Sequence, residues 1–197
     1  MNPKTIVRSG VLALMVLAPA AVSAQAGDRG MLGIGYAANA PSVVVGATVW
    51  GIVPGLRGWG LYVDGKMDPD DPSSDPYFMA ALTPSDIATQ YPDDEEVTQE
   101  DRWQSFNAAV TRVLTDELIV YAGGGYSHRT TYRQYLDPDR NRGQFGLYWV
   151  EDPVTSGGEV NLLAGALLRI SSRIRLQFGG ETAPRGFTVG ASLTLGG

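Results

Sequence analysis

The chain of 197 residues suits a single domain; it carries 25 glycines, no cysteine and a formal net charge of −6. The missing cysteine excludes both a disulfide framework and a lipoprotein anchor. The acidic balance argues against nucleic acid as a partner.

Lys4 and Arg8 precede an apolar run from Val11 to Val22, and Val22-Ser23-Ala24 follows with small residues at the expected spacing. This layout predicts a secretory signal peptide over residues 1–24 and an exported domain over 25–197. Ala24-Gln25-Ala26 is a second small-x-small site, so the cut is open by two residues. Pro19 and a run shorter than the ~20 residues of a spanning helix weigh against an uncleaved anchor. Loss of the two basic leader residues takes the net charge from −6 to −8.

Beyond the leader, apolar side chains alternate with small or polar ones in segment after segment, the period of a strand with two unlike faces. Strand-like segments run from Gly30 to Ala38, Ser42 to Trp50, Gly58 to Gly65, Trp103 to Val113, Leu118 to Ser127, Glu159 to Arg169, Ile174 to Gly179 and Gly186 to Leu195. The clearest alternation is at the end of the chain. Val160, Leu162, Ala164, Ala166 and Leu168 share one face, as do Ile174, Leu176 and Phe178, and then Phe187, Val189, Ala191, Leu193 and Leu195. The opposite faces hold Gly, Ser, Thr, Asn, Gln and Arg, too little bulk for a soluble core, so the apolar face is expected to meet lipid.

The connections alternate in length. Turns near Pro54-Gly55, Thr115-Asp116 and Ser171-Ser172 are short, and the insertions 66–102 and 128–158 both fall at the other end. An even strand count, short turns at one end and long loops at the other predict an all-β fold: an eight-stranded antiparallel up-and-down transmembrane barrel with two long outer loops. Closure removes strand edges that hydrocarbon cannot satisfy. Tyr36, Phe178 and Phe187 are placed at an outer aromatic girdle and Trp59 and Tyr121 at an inner one, whereas Trp50 and Trp103 have lumen parity. A soluble lipocalin-like carrier would need Lys and Glu on its outer face, and Lys66 is the one lysine after Lys4.

On Tyr121-Ala122-Gly123-Gly124-Gly125-Tyr126, on Gly158-Glu159-Val160 through Ala164-Gly165 to Leu167-Leu168-Arg169, and on Gly179-Gly180-Glu181-Thr182, the chain resembles the small outer-membrane barrels of the OmpA and OmpX type. The resemblance implies residence in the cell outer membrane. It also implies contact with membrane lipid and lipopolysaccharide, and passage through the barrel-assembly machinery. Such barrels usually end in an aromatic residue read by that machinery; this chain ends Leu193-Thr194-Leu195-Gly196-Gly197.

No catalytic, cofactor or metal residue is assigned. An eight-stranded lumen is filled by side chains, which disfavours a pore, and Asp64, Glu159, Arg169 and Arg175 are expected to pair inside it. His128 follows Ser127 on a strand, so the two point to opposite faces and cannot form a nucleophile and base, against a lipid A-modifying activity. Asp68, Asp70, Asp71 and Asp75 lack the glycine and closing glutamate of a calcium loop, and with Asp93, Asp94, Glu95 and Glu96 suggest a solvated, self-repelling loop. The second insertion reads as a projecting hairpin turning at Asn141-Arg142-Gly143. Its Arg129, Arg133, Arg140 and Arg142, with Tyr132 and Trp149, form the candidate outer surface. The arginines suit phosphate groups or the acidic first loop, and the hairpin edge suits a partner strand.

The expected role is therefore non-enzymatic: a scaffold presenting outer loops for structural, adhesive or recognition purposes. The alternative is a narrow transporter for a small or hydrophobic solute.

Overall fold

A computed structural model of the chain describes residues 30–195; the signal peptide expected over 1–24 and the last two glycines fall outside them. Eight antiparallel strands close into a barrel in chain order. They are β1 (Met31–Ala40), β2 (Val44–Ile52), β3 (Trp59–Met67), β4 (Glu95–Val113), β5 (Leu118–Leu136), β6 (Leu147–Arg169), β7 (Ile174–Thr182) and β8 (Arg185–Leu195). The first strand pairs with the last, Leu32 opposite Leu195 through Ala40 opposite Phe187. Every predicted strand is present, and both chain ends of the barrel lie on the side of the short turns.

The polarity is that of a barrel in lipid. Ile34, Tyr36, Leu61, Phe106, Val110, Leu162, Phe178, Val189 and Leu193 are exposed on the outside, while Thr48, Asp64, Lys66, Asn107, Asn161 and Gln177 are buried within. A soluble protein reverses this arrangement. With each wall position hydrogen-bonded to two neighbours, the backbone needs no water in the hydrocarbon zone. The chain thus has the architecture of a small eight-stranded antiparallel transmembrane barrel.

Glycine on the lumen face makes room for large rings. Gly33 lies opposite Trp50 in the β1–β2 register, and a Cβ there would sit 2.1 Å from the indole. Gly165 similarly leaves space for Tyr121, whose hydroxyl would lie 2.4 Å from an added Cβ. Tyr121 is therefore a lumen residue, 3% exposed and stacked on Tyr62 with centroids 4.4 Å apart, rather than part of the inner girdle. The other four girdle residues, Tyr36, Phe178, Phe187 and Trp59, do face outward.

Three strands are much longer than the rest: β4 and β5 have 19 residues, β6 has 23, and the others 9 to 11. Their surplus continues past the barrel at the outer end as a three-stranded sheet, with Glu95 opposite Leu136 and Leu136 opposite Leu147. The second insertion is thus mostly strand, turning at residues 137–146 with Gly143 at φ +72°. Glu95–Arg102, expected to be loop, belongs to β4.

Residues 68–94 fold onto this sheet. Helix α1 (Pro84–Gln90) starts with a capping box, the Thr83 hydroxyl accepting from the Asp86 N–H and the Asp86 carboxylate from the Thr83 N–H. Its Ile87 is buried with Tyr135, Tyr148 and Val150, beside Met79, Leu82 and Tyr91. The segment is therefore not a solvated, self-repelling loop.

Candidate functional site

The lumen is closed by a network of side chains. Lys66 Nζ donates to Asp64 Oδ2 at 2.9 Å and to Glu181 Oε1, and all three side chains are within 1% of full burial. Asn107 donates to Asp64 Oδ1 at 2.8 Å, and Asn161 donates to Asn107 at 2.9 Å and to Glu181 Oε2 at 3.2 Å. Thr188 donates to Glu181 at 2.6 Å and Tyr62 to Asp64 at 2.7 Å. One turn nearer the inner end, Gln177 donates to the Tyr62 and Tyr121 hydroxyls. Trp50 follows, donating to Ser192 at 3.0 Å under the Arg175 guanidinium. At the outer end Ser127 donates to the Ala183 carbonyl. Lys66, Asp64 and Glu181 have partners that offset their desolvation, whereas Arg175 has the Asp116 and Glu117 carbonyls, at 3.4 and 3.3 Å, and the arrangement fills the barrel.

Of the four charges expected inside, Asp64 and Arg175 are there and the other two are not. Glu159 is exposed, because β7 ends at Thr182 and β6 has no β7 partner above Leu163. Arg169 is exposed at the inner turn, 3.3 Å from Glu117. The missed members are Lys66, assigned to the first insertion, and Glu181, assigned to the last connection; both strands run farther than their patterns suggest.

The outer extension is the second region of interest. Arg142 donates to both oxygens of Asp94, at 2.9 and 2.8 Å, and stacks on Tyr91 with its guanidinium carbon 3.8 Å from the ring centre. Tyr148 donates to the same carboxylate. Burial works against the Arg142 charge, but Asp94, Asp137 and Tyr148 outweigh it and hold its pKa above the ordinary value. Burial, then Asp94, pushes the Tyr148 phenol upward. Arg133 bridges Glu96 and Asp152, each at 2.7 Å, and its pKa is raised chiefly by Glu96. Arg129 reaches Asp101 at 3.7 Å and donates to the Thr155 carbonyl. The arginines of the candidate surface therefore pair with acidic residues, three of them on β4 or just before it. Arg140 alone of the four stands exposed at the hairpin turn without a salt bridge among the described residues.

Tyr132 is 3% exposed, edge-on to Phe78 at 5.8 Å, with its phenol pushed up by burial and by Asp71. Trp149 lies on the sheet edge, where Met79 N donates to its carbonyl at 2.8 Å and its own N–H donates to Tyr77 at 3.2 Å. That stretch of hairpin edge is taken by the chain's own loop. Asp68, Asp71 and Asp75 accept from the backbone N–H groups of Asp70, Ser73 and Tyr77, shaping the loop as turn-forming residues do. His128 points out of the wall and Ser127 into it, as their adjacency requires.

Comparison with known protein families and with curated proteins finds no match to this chain. Among solved structures it is similar to Ail, the attachment invasion locus protein of Yersinia pestis, solved in complex with the heparin analogue sucrose octasulfate. The TM-score is 0.48 and the identity 11%, over 85% of this chain and 99% of that one. It is also similar to the N-terminal β-barrel domain of Pseudomonas aeruginosa OprF, with TM-score 0.41 and 9% identity over 87% and 100%. A de novo designed transmembrane β-barrel gives TM-score 0.40 and 11% identity over 87% and 98%. Likeness at this level carries no functional residue across; the strand closure and polarity above stand on this chain's own residues.

Proposed function

We propose that the protein is a non-enzymatic barrel of the outer membrane that holds the β4–β5–β6 extension, with residues 68–94 folded on it, outside the cell as a structural, adhesive or recognition surface. The observation that carries this reading is the contrast between a plugged lumen and three strands prolonged at one end only. Strands of ~9–11 residues suffice to cross a bilayer. The eight residues from Arg129 to Leu136 of β5 add, at ~3.3 Å each, roughly 25 Å of sheet beyond it. Chain segments are not extended and stapled so far into solvent by the needs of the barrel.

An epitope inserted between Asp139 and Arg140, at the hairpin turn, is expected to be labelled on intact cells. Labelling that appears only after the envelope is permeabilised would reverse the orientation and sink the proposal. The transporter reading is opposed by the interlocked lumen, and purified protein in planar bilayers is expected to give no discrete conductance steps. Lipid A mass is expected to be unchanged on expression, because His128 has no serine or carboxylate partner among the described residues; a shift abolished by His128→Ala would make the protein an enzyme.

A further inference from the structure

The outward wall has a gap at a glycine of β7 beside Phe187. Gly180 of β7 lies in register between Ala164 of β6 and Phe187 of β8. The row on its inner side is filled by Phe178 and Val189, while on its outer side Thr182 pairs with Arg185. The Thr182 hydroxyl accepts the Leu162 N–H at 2.8 Å, drawing β6 to the end of the short hairpin. A Cβ on Gly180 would meet nothing nearer than the Gly186 carbonyl at 3.6 Å. The result is a depression of about 660 Å³ whose walls include Leu162, Ala164 and Phe187 and whose rim carries Arg185. That volume lies within the ~300–1,000 Å³ of small-molecule sites.

Two independent features indicate what occupies it. Phe187 is 77% and Leu162 58% exposed, and both belong to the apolar belt, so the groove opens toward acyl chains. Arg185 stands two residues beyond Phe187, at the edge of the aromatic girdle where headgroups begin. Arg102, Arg129, Arg133 and Arg142 at the outer end are each in a salt bridge. Arg185, like Arg140 at the distant hairpin turn, has no ion pair among the described residues, although acidic side chains are abundant at that end. An unpaired guanidinium above an apolar trough matches a phosphate above an acyl chain.

We propose that this groove binds one anionic lipid of the outer leaflet, its chain lying over Gly180 between Leu162 and Phe187 and its phosphate on Arg185. The inference rests on the membrane-spanning reading given above. Arg185 confers the headgroup preference and the glycine floor confers the fit.

Native mass spectrometry of the folded, detergent-solubilised barrel tests it, with dioleoyl phosphatidylglycerol and dioleoyl phosphatidylcholine as the probes. A single-lipid adduct is expected to favour phosphatidylglycerol by about five-fold, the contribution of one basic residue at a lipid surface. Arg185→Gln is expected to abolish that preference, and Gly180→Leu, which fills an open position, to lower retention of both lipids. Equal retention of the two lipids by the native chain, or unchanged retention by both variants, would overturn the site. Heat-modifiable migration on gels, measured on each sample, separates this failure from a deeper one. A folded barrel without the preference refutes the groove alone, whereas a chain that never shows a heat-modifiable barrel refutes the membrane reading with it.

Discussion

The lumen and the outer extension use the same chemistry under opposite conditions. In the lumen, Lys66 is shared by Asp64 and Glu181 with side-chain exposures of 0 to 1%. In the extension, Arg133 is shared by Glu96 and Asp152 with exposures of 24%, 39% and 5%. Desolvation makes the first set all-or-nothing: the charges persist because each carboxylate oxygen accepts from at least one donor, and removing one partner strands another in a dry space. The second set is softened by water, and its individual contributions are small. A charge pair therefore indicates a rigid plug in one place and an adjustable seam in the other.

The largest effect is expected from Lys66→Met, which leaves two carboxylates facing each other without a cation and costs about 3–5 kcal/mol. The urea midpoint of the heat-modifiable band should fall sharply. It should recover in large part when Asp64→Asn and Glu181→Gln are added, since the stranded charges are then gone. An unchanged midpoint in the single variant would mean that the lumen is wet and the comparison false.

Arg142→Ala comes next. It removes the Nη2 contacts to both oxygens of Asp94, whose side chain is 3% exposed, and the stack on Tyr91, leaving the Tyr148 hydroxyl as the remaining side-chain donor. A loss of about 1–3 kcal/mol is expected for an under-satisfied buried group. It should fall on the docking of residues 68–94 rather than on the barrel, because the segment packs through a separate cluster around Ile87. Limited proteolysis should cut that segment faster while the urea midpoint of the barrel stays put. Glu96→Gln is expected to cost less, ~0.2–1 kcal/mol, as Arg133 keeps Asp152. A drop comparable to that of Lys66→Met would show that the seam is as dry as the plug.

How much of this was legible in the sequence follows from the same contrast. Strict alternation located all eight strands and the lipid-facing sides of β1, β2, β7 and β8, because one face is bulky and apolar and the other is small or polar. It failed at Tyr121, where Leu118 to Ala122 are apolar on both faces and only the space above Gly165 decides which way the ring turns. It failed again over Glu95–Arg102, whose side chains are nearly all polar or charged. Those residues form strand because Arg129 and Arg133 meet Asp101 and Glu96 across the sheet. The Lys66–Glu181 pair spans 115 residues and the width of the barrel, so no local pattern contains it. The hairpin and the pairing of its arginines with acidic residues were within reach, since turn residues and opposite charges are local in composition if not in position.

Acid provides the gentlest way to separate the two regions. Burial works to raise the Asp137 carboxyl, but the N–H groups of Arg142, Asp139 and Asn141, with the Arg142 charge, overcome it and leave its pKa below the ordinary value. At Asp152 burial again opposes the shift, and Arg133, Thr155 and the N–H groups of Val154 and Thr155 reverse it. A carboxyl whose folded pKa is depressed contributes stability that is present above its unfolded value of ~3.9 and is lost as pH falls through the folded value. The extension should therefore hold its packing from neutral pH down to about pH 4 and loosen only below that. Hydrogen exchange at residues 137–156, measured stepwise between neutrality and pH 3 and corrected for the intrinsic rate, should show protection falling at the acid end first in this segment, with the β1–β8 seam unchanged. Loss of protection near pH 6 would contradict the depressed carboxyls, and simultaneous loss in seam and extension would mean that the two regions form one cooperative unit.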